Sequence, residues 1–111
     1  MPRGEPRQWA DGSADPRRAP PALATAWCAA LRGEGAPIVT TTDGRANPIV
    51  WILGAEGDDR LHGYRGDTGE PLYAGGGAED AMPGLRHFQD LLATSDRLYV
   101  GADGRLYAIA F

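Results

Sequence analysis

Side chains able to do chemistry are few in this chain and poorly grouped. The densest set is Glu56, Asp58 and Asp59, three carboxylates within four residues. A calcium loop needs acids alternating around a glycine and closing on a glutamate, and this run lacks that order. It reads as a solvated turn. His62 and His87 have no cysteine or second histidine beside them, so each reads as a strand or surface residue rather than a metal ligand. Cys28 is the one cysteine, which rules out an intrachain disulfide and an all-cysteine metal site; it reads as a small, semi-buried apolar residue. Gly75-Gly76-Gly77 is not followed by the Lys-Ser/Thr of a phosphate loop and reads as a flexible connector. Ser13 and Ser95 fall in an arm and a turn, and neither forms a Ser-His-Asp set. No residue is assigned a catalytic, cofactor-binding or metal-binding role, and no cofactor is expected.

The bulk composition narrows the class of partner. The 111 residues allow one domain, and their formal charge of −4 is uneven. Residues 1–35 carry five Arg against four acids, whereas residues 36–111 carry six Arg against eleven. An acidic body without clustered basic side chains argues against a nucleic-acid face or an anionic membrane surface. No apolar run follows Arg3 and Arg7, so no signal peptide is read. The unbroken apolar run at residues 49–53 is too short to insert in a membrane.

Positioning must come from strands. Residues 1–21 hold five of the nine prolines and four Arg, with Trp9 as almost the sole apolar anchor. Such a segment buries too little to offset its ordering entropy and is expected to be a disordered arm. Residues 23–31 (LATAWCAAL) have helix-forming alanines, yet their place beside strands favours a strand; both remain open. From residue 36 onward short apolar runs alternate with Gly, Asp and Pro. PIVTTT ends at Asp43-Gly44, IVWIL is continuously apolar, and RLHGY and RLYAI alternate. Asp103-Gly104 is the two-residue hairpin turn that calls for positive φ.

These runs repeat. Leu53-Gly54-Ala55 matches Val100-Gly101-Ala102 at an offset of 47, and Arg60–Tyr64 matches Arg105–Ile109 at 45. Short strands with that period are the spacing of propeller blades, each a four-stranded sheet. Expected strands are residues 37–41, 49–53, 61–65 and 71–74 for one whole blade. An incomplete blade follows, with strands near 88–92, 98–101 and 106–111. Residues 23–28 would be the outer strand of a preceding blade. By propensity alone residues 85–93 could instead be a short helix.

Around Asp67-Thr68-Gly69-Glu70-Pro71-Leu72-Tyr73 the chain resembles the quinoprotein (pyrroloquinoline-quinone-type) propeller repeat. The resemblance spans about residues 22–111. A strand reading Leu98-Tyr99-Val100-Gly101, a turn, and a return as Arg105-Leu106-Tyr107-Ala108 fit it. Thr68 and Gly69 match the closing turn. Gly63 stands where the family prefers Ala, Arg65 where it prefers Asp, and Tyr73 where it prefers Trp; Trp27 would be that Trp for the preceding blade. The aromatic would wedge neighbouring blades together, burying on the order of 150–250 Å².

The resulting expectation is an all-β, partial β-propeller: one whole four-stranded blade (36–74), an incomplete one (86–111), part of a third, and the arm. Expected function is that of a non-catalytic scaffold or protein-interaction surface. The alternative is the C-terminal part of a pyrroloquinoline-quinone-dependent dehydrogenase, whose calcium site, catalytic Asp and vicinal disulfide would lie on blades elsewhere. Expected partners are further blades or another protein chain, with self-association through an open sheet edge. The resemblance implies a periplasmic or cell-envelope setting.

Overall fold

A strand reading Ile-Val-Trp-Ile-Leu is apolar on both faces, so it must lie inside a sheet that is covered on both sides. In the computed structural model, which describes residues 22–111, that strand is central. The first sheet has the order β1 (Ile38–Thr40), β2 (Ile49–Leu53), β3 (Leu61–Arg65) and β4 (Pro71–Ala74), all antiparallel. A second sheet follows with the order β5 (Leu91–Ala93), β6 (Arg97–Ala102) and β7 (Arg105–Ala110). The chain is therefore all-β over the described residues, apart from a 3₁₀ turn at Ala78–Asp80. None of its described helices is long and apolar enough to cross a membrane. The expected arm, residues 1–21, lies outside the described residues.

Turn chemistry fixes the hairpins. Asp43 Oδ1 accepts from the N–H groups of Arg45 (2.9 Å) and Ala46 (2.7 Å), and Gly44 takes positive φ. The 103–104 turn joins Ala102 to its partner Arg105, with positive φ at Gly104 but not at Asp103. Gly69 has φ +76°, and the Thr68 hydroxyl accepts from the Glu70 N–H at 3.3 Å.

The two sheets share one core: Trp51, Leu53 and Leu61 from the first, Leu91, Leu98 and Val100 from the second, with Met82 and Leu85 from the connection. They stack with strands running the same way. The ends of β1 and β5 and Phe111 meet around one cavity, while the β2–β3 loop and the 103–104 turn both bond to residues 82–87 at the other end. Trp51 lies over Gly63, its partner across the ladder, and its indole N–H donates to Thr40 Oγ1 at 2.9 Å. Phe111 stacks on it, with centroids 5.9 Å apart.

Several expectations change. Residues 23–28 form neither strand nor helix; they are held through Trp27 rather than by a ladder. Residues 85–93 are not a helix, and the first strand of the second sheet begins at Leu91, leaving Phe88 71% exposed ahead of it. Short reach explains this: Leu91–Ala93 already pairs in full with Leu98–Val100. The triple glycine is not a free connector, since Arg60 donates to the Gly75 carbonyl and Gly77 N–H to Asp80 Oδ2.

The repeat also needs re-registering. Holding β3 and β7 at an offset of 45 pairs Gly63 with Ala108, and their ladder partners are then Trp51 and Tyr99, 48 apart. Leu53 thus corresponds to Gly101, not Val100. A slip of one residue exchanges the two faces of a strand. In consequence the first sheet meets the second front to back. Trp51, Leu53 and Leu61 point from one face, and Leu98 and Val100 meet them from the opposite face of the matching sheet.

A Cβ on Gly63 would sit 2.7 Å from Trp51 Cζ3. Gly63→Ala is therefore expected to lower stability by about 1–3 kcal/mol, seen as a reduced urea midpoint at unchanged slope. An unchanged midpoint would contradict this packing.

Candidate functional site

Two places gather polar or aromatic groups from distant parts of the chain. At the loop end of the sheets, Gly54 N–H donates to the Arg60 carbonyl (2.8 Å) and closes the β2–β3 loop. Within it Glu56 and Asp59 adopt positive φ, 59° and 55°. That geometry swings the Glu56 carboxylate outward to His87, 31 residues on. Glu56 accepts from the His87 backbone N–H at 2.9 Å and makes a very short contact with His87 Nδ1. Glu34 approaches the same nitrogen at 4.0 Å. All three side chains are exposed, and Glu34 and Glu56 line a groove of about 590 Å³ together with Arg32 and Asp58.

Glu34, Glu56 and His87 each bring one potential ligand atom within 4.8 Å of the others. Two carboxylates and an imidazole suit a divalent ion such as zinc, but imidazole must lose its proton to ligate. The electrostatics favour the protonated form. The hydrogen bond and charge of Glu56 hold His87 above its ordinary 6.5. The His87 backbone and side-chain hydrogen bonds hold Glu56 below its ordinary 4.5. The Glu56–His87 contact itself joins the connecting segment to the β2–β3 loop.

The residues singled out from sequence fall as follows. Asp58 does not stand alone in a solvated turn: its Oδ2 lies 2.7 Å from His62 Nε2 and its Oδ1 accepts from the Arg60 N–H. Asp59 Oδ1 is buried without a hydrogen-bond partner among the described residues. His62 and His87, read as unaccompanied, each have a carboxylate partner. The spacing of Asp58 and His62 could have revealed one pair; nothing in the sequence announces that Glu56 meets His87. Cys28 is exposed rather than semi-buried. Ser95 lines the cavity at the far end of the sheets with Thr94 and Phe111, distant in the fold from the histidines' loops. Ser13 lies outside the described residues.

The second gathering is aromatic. Trp27 reaches across from the extended N-terminal segment, and its indole N–H donates to the Gly66 carbonyl at 2.9 Å. A Cβ on Gly69 would lie 2.7 Å from the indole ring, so the ring rests directly on that glycine. Tyr64 completes the seat, with centroids 6.0 Å apart, and its hydroxyl lies 3.4 Å from the Ala30 carbonyl. Arg65 and Asp67 pair on the outside of the turn, and the bond from Arg65 lowers the Asp67 carboxyl. Tyr73 shares a smaller cavity with Leu61, Met82, Tyr107 and Ile109 between the sheets.

The linkage of the Glu56–His87 pair to pH follows from these directions. His87 is raised, so its contribution to stability is full below 6.5 and is lost as pH rises through the raised value. Glu56 is lowered, so its contribution is full above 4.5 and is lost as pH falls through the lowered value. The gap in melting temperature between wild type and Glu56→Gln is expected to be widest near pH 5–6 and to narrow by about pH 9. A gap independent of pH would contradict the pairing. No model of a known family, no curated protein and no solved structure matches the chain.

Proposed function

We propose that this chain is a non-catalytic segment of a quinoprotein-like β-propeller, with the four-stranded sheet as one blade and the three-stranded sheet as the next, and that it serves as a scaffold or protein-interaction surface. The observation that carries the reading is the seat of Trp27 on Gly69 and the Gly66 carbonyl. Those glycines belong to the turn on which the resemblance rests, and a wedge between neighbouring blades is the role the resemblance implies for that aromatic. Three further features support it: the meander order of both sheets, their front-to-back stacking with strands in one direction, and the contact of the two innermost strands, β1 and β5. Tyr73, 46 residues after Trp27, stands in the corresponding place toward the second sheet.

A scaffold needs persistent surfaces rather than reactive groups. The polar side chains gathered here are committed to contacts within the fold: Glu56 with His87, Arg86 with Asp103 (2.6 Å), Asp58 with His62. The apolar side chains left exposed on the second sheet, Leu92 and Leu106, are suited to contact with a further sheet.

Titration of the chain with pyrroloquinoline quinone and Ca²⁺ tests the reading. The quinone absorption spectrum is expected to stay that of the free compound, with no dye-linked alcohol oxidation. Stoichiometric capture of quinone dependent on calcium would overturn the non-catalytic reading.

A further inference from the structure

The second sheet presents an outer face with no cover among the described residues. Leu92 is 67% and Leu106 73% exposed, and Tyr99 and Ala108 share that face through the ladder pairs Leu92–Tyr99 and Tyr99–Ala108. The register of the two sheets says what this face is. Leu92, Tyr99, Leu106 and Ala108 correspond in turn to Ile38, Trp51, Leu61 and Gly63. Those four lie on the face that the first sheet turns toward the second, where Trp51 and Leu61 are buried in the shared core. The complement they meet is the opposite face of the matching sheet, carrying Leu98 and Val100. The first sheet has that complementary kind of face too, carrying Val50, Ile52, His62 and Tyr64.

A strand is unpaired as well. The first sheet has four strands and the second three, and no described strand pairs with the outer edge of β7. Residues 25–28, meanwhile, belong to no described sheet, with neighbouring Leu23 91% exposed. Their Trp27 is seated beside Tyr64 of the first sheet. Tyr73 of β4 shares a cavity with Ile109, the residue corresponding to Tyr64. Residues 25–28 therefore stand to the first sheet as β4 stands to the second, except that they belong to no described sheet.

We propose that a second copy of this chain docks on the outer face of the second sheet, and that its residues 25–28 pair with β7 as a fourth strand. The inference rests on the repeat reading proposed above and names the partner. The contact is head to tail, since each copy offers one face and receives on the other, so copies add in one direction until a ring closes. With two sheets per copy and ~4–8 blades in a closed propeller, a ring takes about two to four copies.

Sedimentation velocity of the full chain between about 5 and 200 μM, spanning the concentrations at which weak interfaces populate, is the first arm of the test. Discrete oligomers are expected. Leu106→Asp, at an exposed position whose replacement leaves the sheet itself intact, is expected to weaken association at least tenfold with an unchanged circular-dichroism spectrum. The second arm uses the native Cys28. Transposing the pair His62–Ala74 places the second copy's Cys28 opposite Tyr107 of the first. Tyr107→Cys is expected to give a disulfide-linked ladder under oxidation that disappears with Cys28→Ser. A wild-type chain that stays monomeric at 200 μM overturns the inference while leaving the repeat reading in place, whereas calcium-dependent quinone capture strikes the reading itself. Oligomers indifferent to Leu106→Asp would assign association to another surface and equally overturn the proposal.

Discussion

A central strand with apolar side chains on both faces cannot be satisfied by one covering layer, and the architecture depends on that constraint. β2 sends Trp51 and Leu53 toward the second sheet and Val50 and Ile52 the other way. The first requirement is met by Leu98, Val100 and the residues of the 82–85 connection. The second is met in part by the extended N-terminal segment, laid across the sheet by Trp27. Side chains of period two demand a neighbour on each side, and the chain answers by stacking one sheet on the next.

Glycine is what lets aromatic rings serve as the spacers in that stack. Trp51 can lie flat because Gly63 has no Cβ, and Trp27 can rest on the β3–β4 turn because Gly69 has none either. Gly69 is doubly suited, since its φ of +76° is one that other residues adopt only at a cost. Each ring also finds a polar partner for its indole N–H, at Thr40 and at the Gly66 carbonyl. Apolar burial of this kind contributes on the order of 2 kcal/mol or more per ring. Ion pairs around the loops are solvent-facing and tune the connections rather than hold the stack.

Much of the fold was legible from sequence because its signals are local. IVWIL and PLYA coincide with β2 and β4, RLHGY overlaps β3 to within one residue at each end, and Asp103-Gly104 coincides with its turn. What was not legible depended on distance or on register. Residues 23–28 were expected as a strand from their place beside the repeat, but a strand needs an edge, and place in the sequence does not say whether one is at hand. The 47-residue match of Gly-Ala pairs was misleading because those residues end strands of different length and turn, so pairing rather than identity sets the equivalence. The Glu56–His87 contact spans 31 residues and depends on a positive-φ glutamate that no pattern foretells.

Central to the packing is that Trp27 and the Gly69 turn form one unit joining residues 22–31 to the first sheet. A double-mutant cycle between Trp27→Ala and Gly69→Ala, followed by urea unfolding, measures that unit directly. The two substitutions are expected to couple by about 1 kcal/mol or more, the cost of the added methyl shrinking once the indole is gone. Strictly additive costs would mean that the ring does not rest on the glycine, and the account would be wrong at its foundation.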